Sequence, residues 1–318
     1  MNFPKLITGF WGNYTFKFAH KRGSVLIIND GALGDYIHGL PFAYCLKNLG
    51  YEVTILSSDK NKLDDTFQVI PYYDIINDKR FKMIFVMNYK KPVFFKLWRA
   101  NAYFFNFRRA ALRAFRRWEE KHWSDFYLEC LSDFVKKSIF FNNGNRVEKE
   151  KYVVFHPGSS MKEKNWDIEK FIEVYKGIDY EHKLFVLGPS DTHLKDVLDK
   201  NGCKYMVSTD FKALEKIAKE TYLFVGSDSG VAHYFATFNT NVISIFTIGC
   251  GPTHFPYTRR GTFYFEEEVF KRFYKKGEIT QIKLNPEALL RQIYHIIQKD
   301  NKVEPGFFKS ANYAHYLI

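Results

Sequence analysis

The sequence predicts an α/β protein of parallel sheets in two domains, on three observations. Short apolar runs, each followed by a glycine-bearing loop and a helix-patterned segment, recur along the chain, as at residues 25–29, 152–155 and 222–225. Runs that are apolar throughout, rather than alternating, suit strands buried on both faces under covering helices. The unit starts afresh after Asn142-Asn143-Gly144-Asn145, a linker-like stretch, so domains of residues 1–145 and 146–318 are expected. Finally, 318 residues are long for one core, and 46% apolar residues are enough for two.

In chain order, residues 25–29 (Val-Leu-Ile-Ile-Asn) read as a buried strand, followed by the loop Asp30-Gly31-Ala32-Leu33-Gly34-Asp35. Residues 36–49 read as a helix with Ile37, Leu40, Ala43, Tyr44 and Leu46 inward, stopped by Gly50. Residues 52–56 and 83–87 are further strands. Between residues 90 and 121 the composition shifts. Phe104, Phe107, Ala111, Phe115 and Trp118 recur at three- and four-residue steps, interleaved with Arg99, Arg108, Arg109, Arg113, Arg116, Arg117 and Lys121. This predicts a basic amphipathic helix, either packed on the sheet by its aromatic stripe or docked on an anionic lipid surface.

The second domain repeats the scheme. Strands are expected at 152–155, 183–187, 222–225 and 242–246, with helices at 167–175, 230–238 and 286–298. Loops at 156–160, 188–191 and 247–253 follow strands, and in open parallel sheets ligands gather at those strand ends. Two such sheets with strand ends facing each other make an interdomain cleft. Residues 301–318 carry no clear periodicity.

The formal net charge of +12, with 19% aromatic residues, predicts attraction to polyanions: nucleic acid, anionic lipid or phosphorylated glycolipid. No run of about 18 or more uncharged apolar residues exists, so no membrane span is expected. Residues 1–21 lack an apolar signal core. Cys45, Cys130, Cys203 and Cys250 have no metal or disulfide spacing, and a reducing cytosol is expected.

Three places could carry chemistry. Asp35 follows Gly34 at a helix start, with His38 one turn on. It reads either as a capping carboxylate or as a general base, held ionised by about 0.3–1 kcal/mol of helix-end field. Lys162 and Lys164, after His156-Pro157-Gly158-Ser159-Ser160, read as phosphate contacts or as a solvated charge run. The turn Gly226-Ser227-Asp228-Ser229-Gly230 leads into a helix containing His233, with Ser227, Asp228 or Ser229 as cap. Its outward N–H groups suit a phosphate. A phosphate would repel Asp228, which must therefore cap the helix or face sugar hydroxyls. His233 reads as a packed histidine that could reach the cleft. The Gly-x-Gly-x-x-Gly and P-loop patterns are absent.

Together these stretches resemble glycosyltransferase family 9, the heptosyltransferase-like enzymes. Residues 30–41 look like the family's Gly-Asp-x-x-x-x-x-Pro segment, and 156–166, ending Lys164-Asn165-Trp166, like its Lys-x-Trp phosphate loop. Residues 227–233 with Gly251-Pro252-Thr253 are similar to its Asp-Ser/Thr-Gly-x-x-His and Gly-Pro-Thr pair. The resemblance implies a GT-B fold, two Rossmann-like domains facing across a cleft, the last helix free to pack back on the first. It implies an inverting enzyme with no metal or cofactor. The donor is then a nucleotide-sugar, an ADP-sugar, and the acceptor an anionic glycolipid of the lipopolysaccharide core. The enzyme would be cytoplasmic, at the inner face of the inner membrane, and no nucleic-acid partner is expected.

By the same analogy Asp35 is the base and Lys164 neutralises the diphosphate. Ser159, Ser160, Lys162, Ser227, Asp228, Ser229, Gly230 and His233 bind the donor, and Gly34, His38, Arg109, Arg113 and Arg116 the acceptor. His254 stands where many relatives carry an acid. A nucleotide-sugar epimerase of similar architecture and a basic nucleic-acid-binding protein are the competing readings.

Overall fold

The structure, a computed structural model, describes residues 23–57, 66–71, 81–88, 103–106, 122–129, 151–208, 210–248, 251–258, 260–266, 277, 282–298, 307–310 and 313–316. The chain forms two compact units, Met1–Phe141 and Asn142–Ile318.

The first unit contains β1 (Ser24–Asn29), α1 (Leu33–Asn48), β2 (Glu52–Leu56), β3 (Gln68–Ile70), β4 (Phe81–Asn88), β5 (Tyr103–Asn106) and α2 (Trp123–Glu129). Its sheet is parallel throughout, in the order β3-β2-β1-β4-β5. The last five residues of β1 are buried, which is why it shows no polar alternation. The order reverses at β1, which makes the β1/β4 boundary the switch point where ligands gather in open parallel sheets.

Helix α1 begins at Leu33, three residues before the expected position. The Asp35 carboxylate, third in the helix, reaches back to accept from Ala32 N–H at 3.0 Å. This half of a capping box draws Leu33 and Gly34 into the first turn. The far end behaves as expected, with Gly50 at φ +88°. Helix α1 is buried well beyond the predicted stripe because α2 covers it. Ser124 Oγ donates to the His38 carbonyl at 3.0 Å, and the His38 and His122 rings meet edge-on at 4.9 Å.

The predicted basic helix is corrected at its start. Residues 103–106 are a strand, paired with β4 through Met83↔Tyr103 to Val86↔Asn106. Tyr-Phe-Phe has the aromatic character that strands favour, and sheet pairing overrides a three- and four-residue repeat extended backwards through Phe104. Arg109, Arg113, Arg116 and the rest of that segment lie outside the described residues.

The second unit runs β6 (Tyr152–His156), a 3₁₀ turn (Lys162–Lys164), α3 (Ile168–Gly177), β7 (Lys183–Leu187), a second 3₁₀ turn (Pro189–Leu194), α4 (Lys195–Lys200) and β8 (Tyr205–Val207). It continues α5 (Phe211–Lys219), β9 (Thr221–Ser227), α6 (Gly230–Ala236), β10 (Asn241–Phe246), α7 (Gly251–His254), β11 (Gly261–Phe265), α8 (Pro286–Gln298), β12 (Phe307–Ser310) and β13 (Tyr313–Tyr316). Six parallel strands run β11-β10-β9-β6-β7-β8, and β13 and β12 add an antiparallel edge beside β11. Counted from β6, this is the doubly wound dinucleotide-fold order, with its switch point between β6 and β9.

Local sequence explains the helix starts. Asp167 accepts from Glu169 N–H at 3.0 Å, Asp210 from Ala213 N–H at 2.8 Å and Asn285 from Ala288 N–H at 2.8 Å. Helix α8 turns Leu289, Ile293 and Ile296 into the core of its own unit, and Tyr222 Oη donates to the Ile296 carbonyl at 2.8 Å. Helix α8 is thus a core element of the second unit.

Candidate active site

The switch point of the second sheet gathers most of the predicted donor residues. The chain leaves β6 through Pro157 and Gly158, makes the turn bearing Lys164, and re-enters the core at Trp166, which is 1% exposed. It leaves β9 at Ser227. The two exits are sewn together: Trp166 N–H donates to Ser227 Oγ at 3.2 Å, and Ser227 Oγ donates to the Pro157 carbonyl at 3.0 Å. With both exits fixed, Lys164 Nζ lies 2.6 Å from Asp228 Oδ2. Residues 64 positions apart thus form an ion pair in which Asp228 is nearly buried and Lys164 keeps about a quarter of its side chain in solvent. A nearly buried carboxylate needs such a partner. The partly exposed ammonium remains available to an incoming anion.

The other donor candidates separate into engaged and open groups. The Ser227 hydroxyl is fully buried and occupied on both sides, so it braces the loops and is not offered to a ligand, a correction to its expected role. Of the three possible caps, Ser229 is the one used, accepting from Ala232 N–H at 3.3 Å. Helix α6, which Gly230 opens, has seven residues, so its end carries a modest field and one of its amides is already taken. The partly exposed cation beside that helix end is Lys164. His233 is 4% exposed on the buried side of α6, the packed alternative of its reading. Ser159 accepts from Met161 N–H at 3.3 Å, while Ser160 and Lys162 are exposed beside it.

Beneath this loop, a Cβ on Gly158 would enter the Asp191 carboxyl group, so only glycine fits there. Asp191 is buried and accepts from Gly188 N–H at 3.0 Å. His156 Nδ1 donates to the Val186 carbonyl at 2.8 Å. Burial pulls that imidazole below the ordinary histidine range, although this bond and the Asp191 charge oppose the shift. It is a neutral structural histidine.

In the first unit, Asp35 stands at the β1/β4 switch point, half-buried, in a seat the sequence did not reveal. The Asn29 amide donates to the carbonyls of Asp35 and Tyr36 at 2.9 and 3.2 Å, fixing the turn from the end of β1. Across β4, Asp30 N–H donates to the Asn88 carbonyl at 2.9 Å. Buried Tyr127, from α2, lies near enough for the Asp35 charge to raise its phenol further, although burial is the larger cause. Gly34 is half-exposed in the same turn. His38 is corrected: at 2% exposure it is sealed between α1 and α2 and is not presented to an acceptor. Asn29 carried one legible signal, a polar residue closing an apolar strand.

Gly31 completes the seat. A Cβ there would stand 2.5 Å from Asp35 Cβ and Oδ2 and 2.6 Å from Asn88 Nδ2. Gly31→Ala is therefore expected to displace the carboxylate and lower the melting temperature, which a thermal melt checks.

Residues 130–269 match the sequence profile of glycosyltransferase family 9 (heptosyltransferase). No curated protein matches the chain. Among solved structures, a glycosyl transferase family 9 protein from Veillonella parvula aligns with a TM-score of 0.66 at 15% identity, over 87% of this chain and 98% of that one. E. coli ADP-heptose lps heptosyltransferase II aligns with 0.66 at 12% identity, over 87% and 100%. E. coli heptosyltransferase WaaC with ADP aligns with 0.60 at 11%, over 86% and 99%. The two doubly wound sheets described above are the halves of the GT-B architecture. Residues 130–269 thus carry a glycosyltransferase family 9 domain, and the chain is a glycosyltransferase.

Proposed function

We propose that this enzyme transfers heptose from an ADP-heptose donor to an inner-core lipopolysaccharide acceptor, with inversion at the transferred carbon. The observation that carries the reading is the Lys164–Asp228 pair at the β6/β9 switch point. A diphosphate arriving there meets a mobile ammonium, worth about 1.5–3 kcal/mol for each good charged contact. Asp228, which a phosphate repels, turns to the donor's sugar hydroxyls. Exposed Ser160 and Lys162 add contacts to the phosphates.

Asp35 accepts the acceptor hydroxyl's proton as the new C–O bond forms. The anomeric C–O bond to phosphate breaks on the opposite side, and ADP leaves with the electron pair, its charge met by Lys164. One displacement inverts the centre. The first unit binds the acceptor and the second the donor. The +12 charge draws an anionic glycolipid at the cytoplasmic face of the inner membrane. Similar structures named for ADP-heptose and ADP support the choice of nucleotide.

Thermal stabilisation by a panel of ADP-, UDP- and GDP-sugars tests the donor. At 100 times its dissociation constant a bound donor adds about 2.7 kcal/mol, so ADP-heptose should shift the melting curve clearly. A shift with UDP-sugars alone would remove ADP-heptose from the proposal. Because lysine meets the departing charge, transfer should persist in EDTA; loss there, restored by magnesium, would overturn the leaving-group role.

A further inference from the structure

Thr247 follows the last residue of β10 and is 1% exposed. Its hydroxyl points into the protein and donates to the Glu163 carbonyl at 2.6 Å, across 84 positions of sequence. Glu163 is the middle residue of the Lys162–Lys164 turn. That turn is closed by Lys164 N–H to the Met161 carbonyl and Asn165 N–H to the Lys162 carbonyl, both at 3.0 Å. It has no side-chain cap at Met161 and buries none of its residues. A single 3₁₀ turn without a buried face does not hold its shape alone. Its position must come from outside, and two hydroxyls supply it: Thr247 at Glu163, and Ser227 at Trp166, two residues past Lys164. They stand at the ends of the adjacent strands β10 and β9.

We propose that Thr247 is a positioning residue for Lys164, clipping the lysine-bearing turn to the end of β10 so that Nζ is held over the diphosphate position. The inference rests on the reading that Lys164 meets the donor's diphosphate. A four-carbon side chain searches a large volume unless its backbone is fixed. The clip narrows that search, while Ser227 fixes the return of the chain.

The test uses Thr247→Val, which keeps the shape and removes the hydroxyl, and Thr247→Ser, which keeps the hydroxyl. Both are made in the native chain and in Lys164→Ala. ADP affinity by calorimetry and kcat and KM for ADP-heptose are measured at a temperature where every variant is folded. Thr247→Val should weaken ADP binding and lower kcat/KM about tenfold, and Thr247→Ser should restore both to within about twofold. In the Lys164→Ala background Thr247→Val should change neither by more than about twofold, since clip and lysine act as one unit. Ser227→Ala should repeat the pattern, which keeps the proposal testable if Thr247→Val folds poorly. Equal losses in both backgrounds would assign Thr247 to the fold alone and overturn the proposal. A damaging Lys164→Ala with a silent Thr247→Val removes only the clip. A silent Lys164→Ala removes the role of the lysine and the clip with it.

Discussion

Asp35→Asn is expected to lower turnover about 10²–10⁴-fold, the range a positioned base supplies, while leaving ADP affinity unchanged. The substitution isolates chemistry from folding. Asparagine keeps the size of aspartate, and its carbonyl oxygen can still accept the Ala32 N–H that starts α1. Asp35→Ala removes that bond too and costs about 0.5–2 kcal/mol of stability, the ordinary price of a lost cap, so a loss of activity there is ambiguous. Steady-state kinetics with saturating donor, a melting curve and ADP calorimetry form the experiment. Turnover within a few-fold of the native enzyme would show that Asp35 is a capping residue only.

The second large effect is expected from Lys164→Ala, which should lower kcat/KM by about 10²–10³ and weaken ADP binding, by losing the cation at the departing diphosphate. It acts on stability as well. Asp228, 7% exposed, is left without the ammonium that now stands 2.6 Å away. Losing one partner of a buried pair costs about 3–5 kcal/mol, but the lysine is partly solvated, so about 1–3 kcal/mol is the expectation here. Bound ADP should not restore this loss, because it brings further negative charge to the same place. Lys164→Arg returns the charge on a longer, planar group and is expected to recover binding better than turnover. Chemical denaturation with and without ADP measures both parts. A Lys164→Ala enzyme with native ADP affinity and native turnover would remove the lysine from the donor site.

Much of the fold was legible because buried parallel strands announce themselves. Residues 183–187 and 286–298 were read with the boundaries found, and β1, β6, β9 and β10 to within two residues at either end. Some of the elements not legible are short or lie at edges, although β11, five residues between β10 and β13, is neither. Strand β8 has three residues, and β5 hides in a segment whose arginines and aromatics resemble a helix face. Helix α5 was missed although Asp210 caps it, a signal that was present. Of the site, the residue types were legible and their engagements were not. Ser227, Ser229 and His233 sit in one motif, yet one is a brace, one a cap and one a packed ring. Local sequence contains nothing that separates those fates.

By itself, the sequence determined the periodicity and the punctuation: where apolar runs demand a sheet covered on both faces, where glycine or a capping acid ends or begins a helix, and which charged residues stand in strand-end loops. These are properties of near neighbours, set by backbone geometry and burial. The tertiary structure alone decided partnership. It placed Lys164 on Asp228 across 64 residues and Thr247 on Glu163 across 84, and it enclosed His38 behind α2. Such contacts arise where the strand order reverses and distant loops leave the sheet side by side, and strand order is fixed by packing the whole unit.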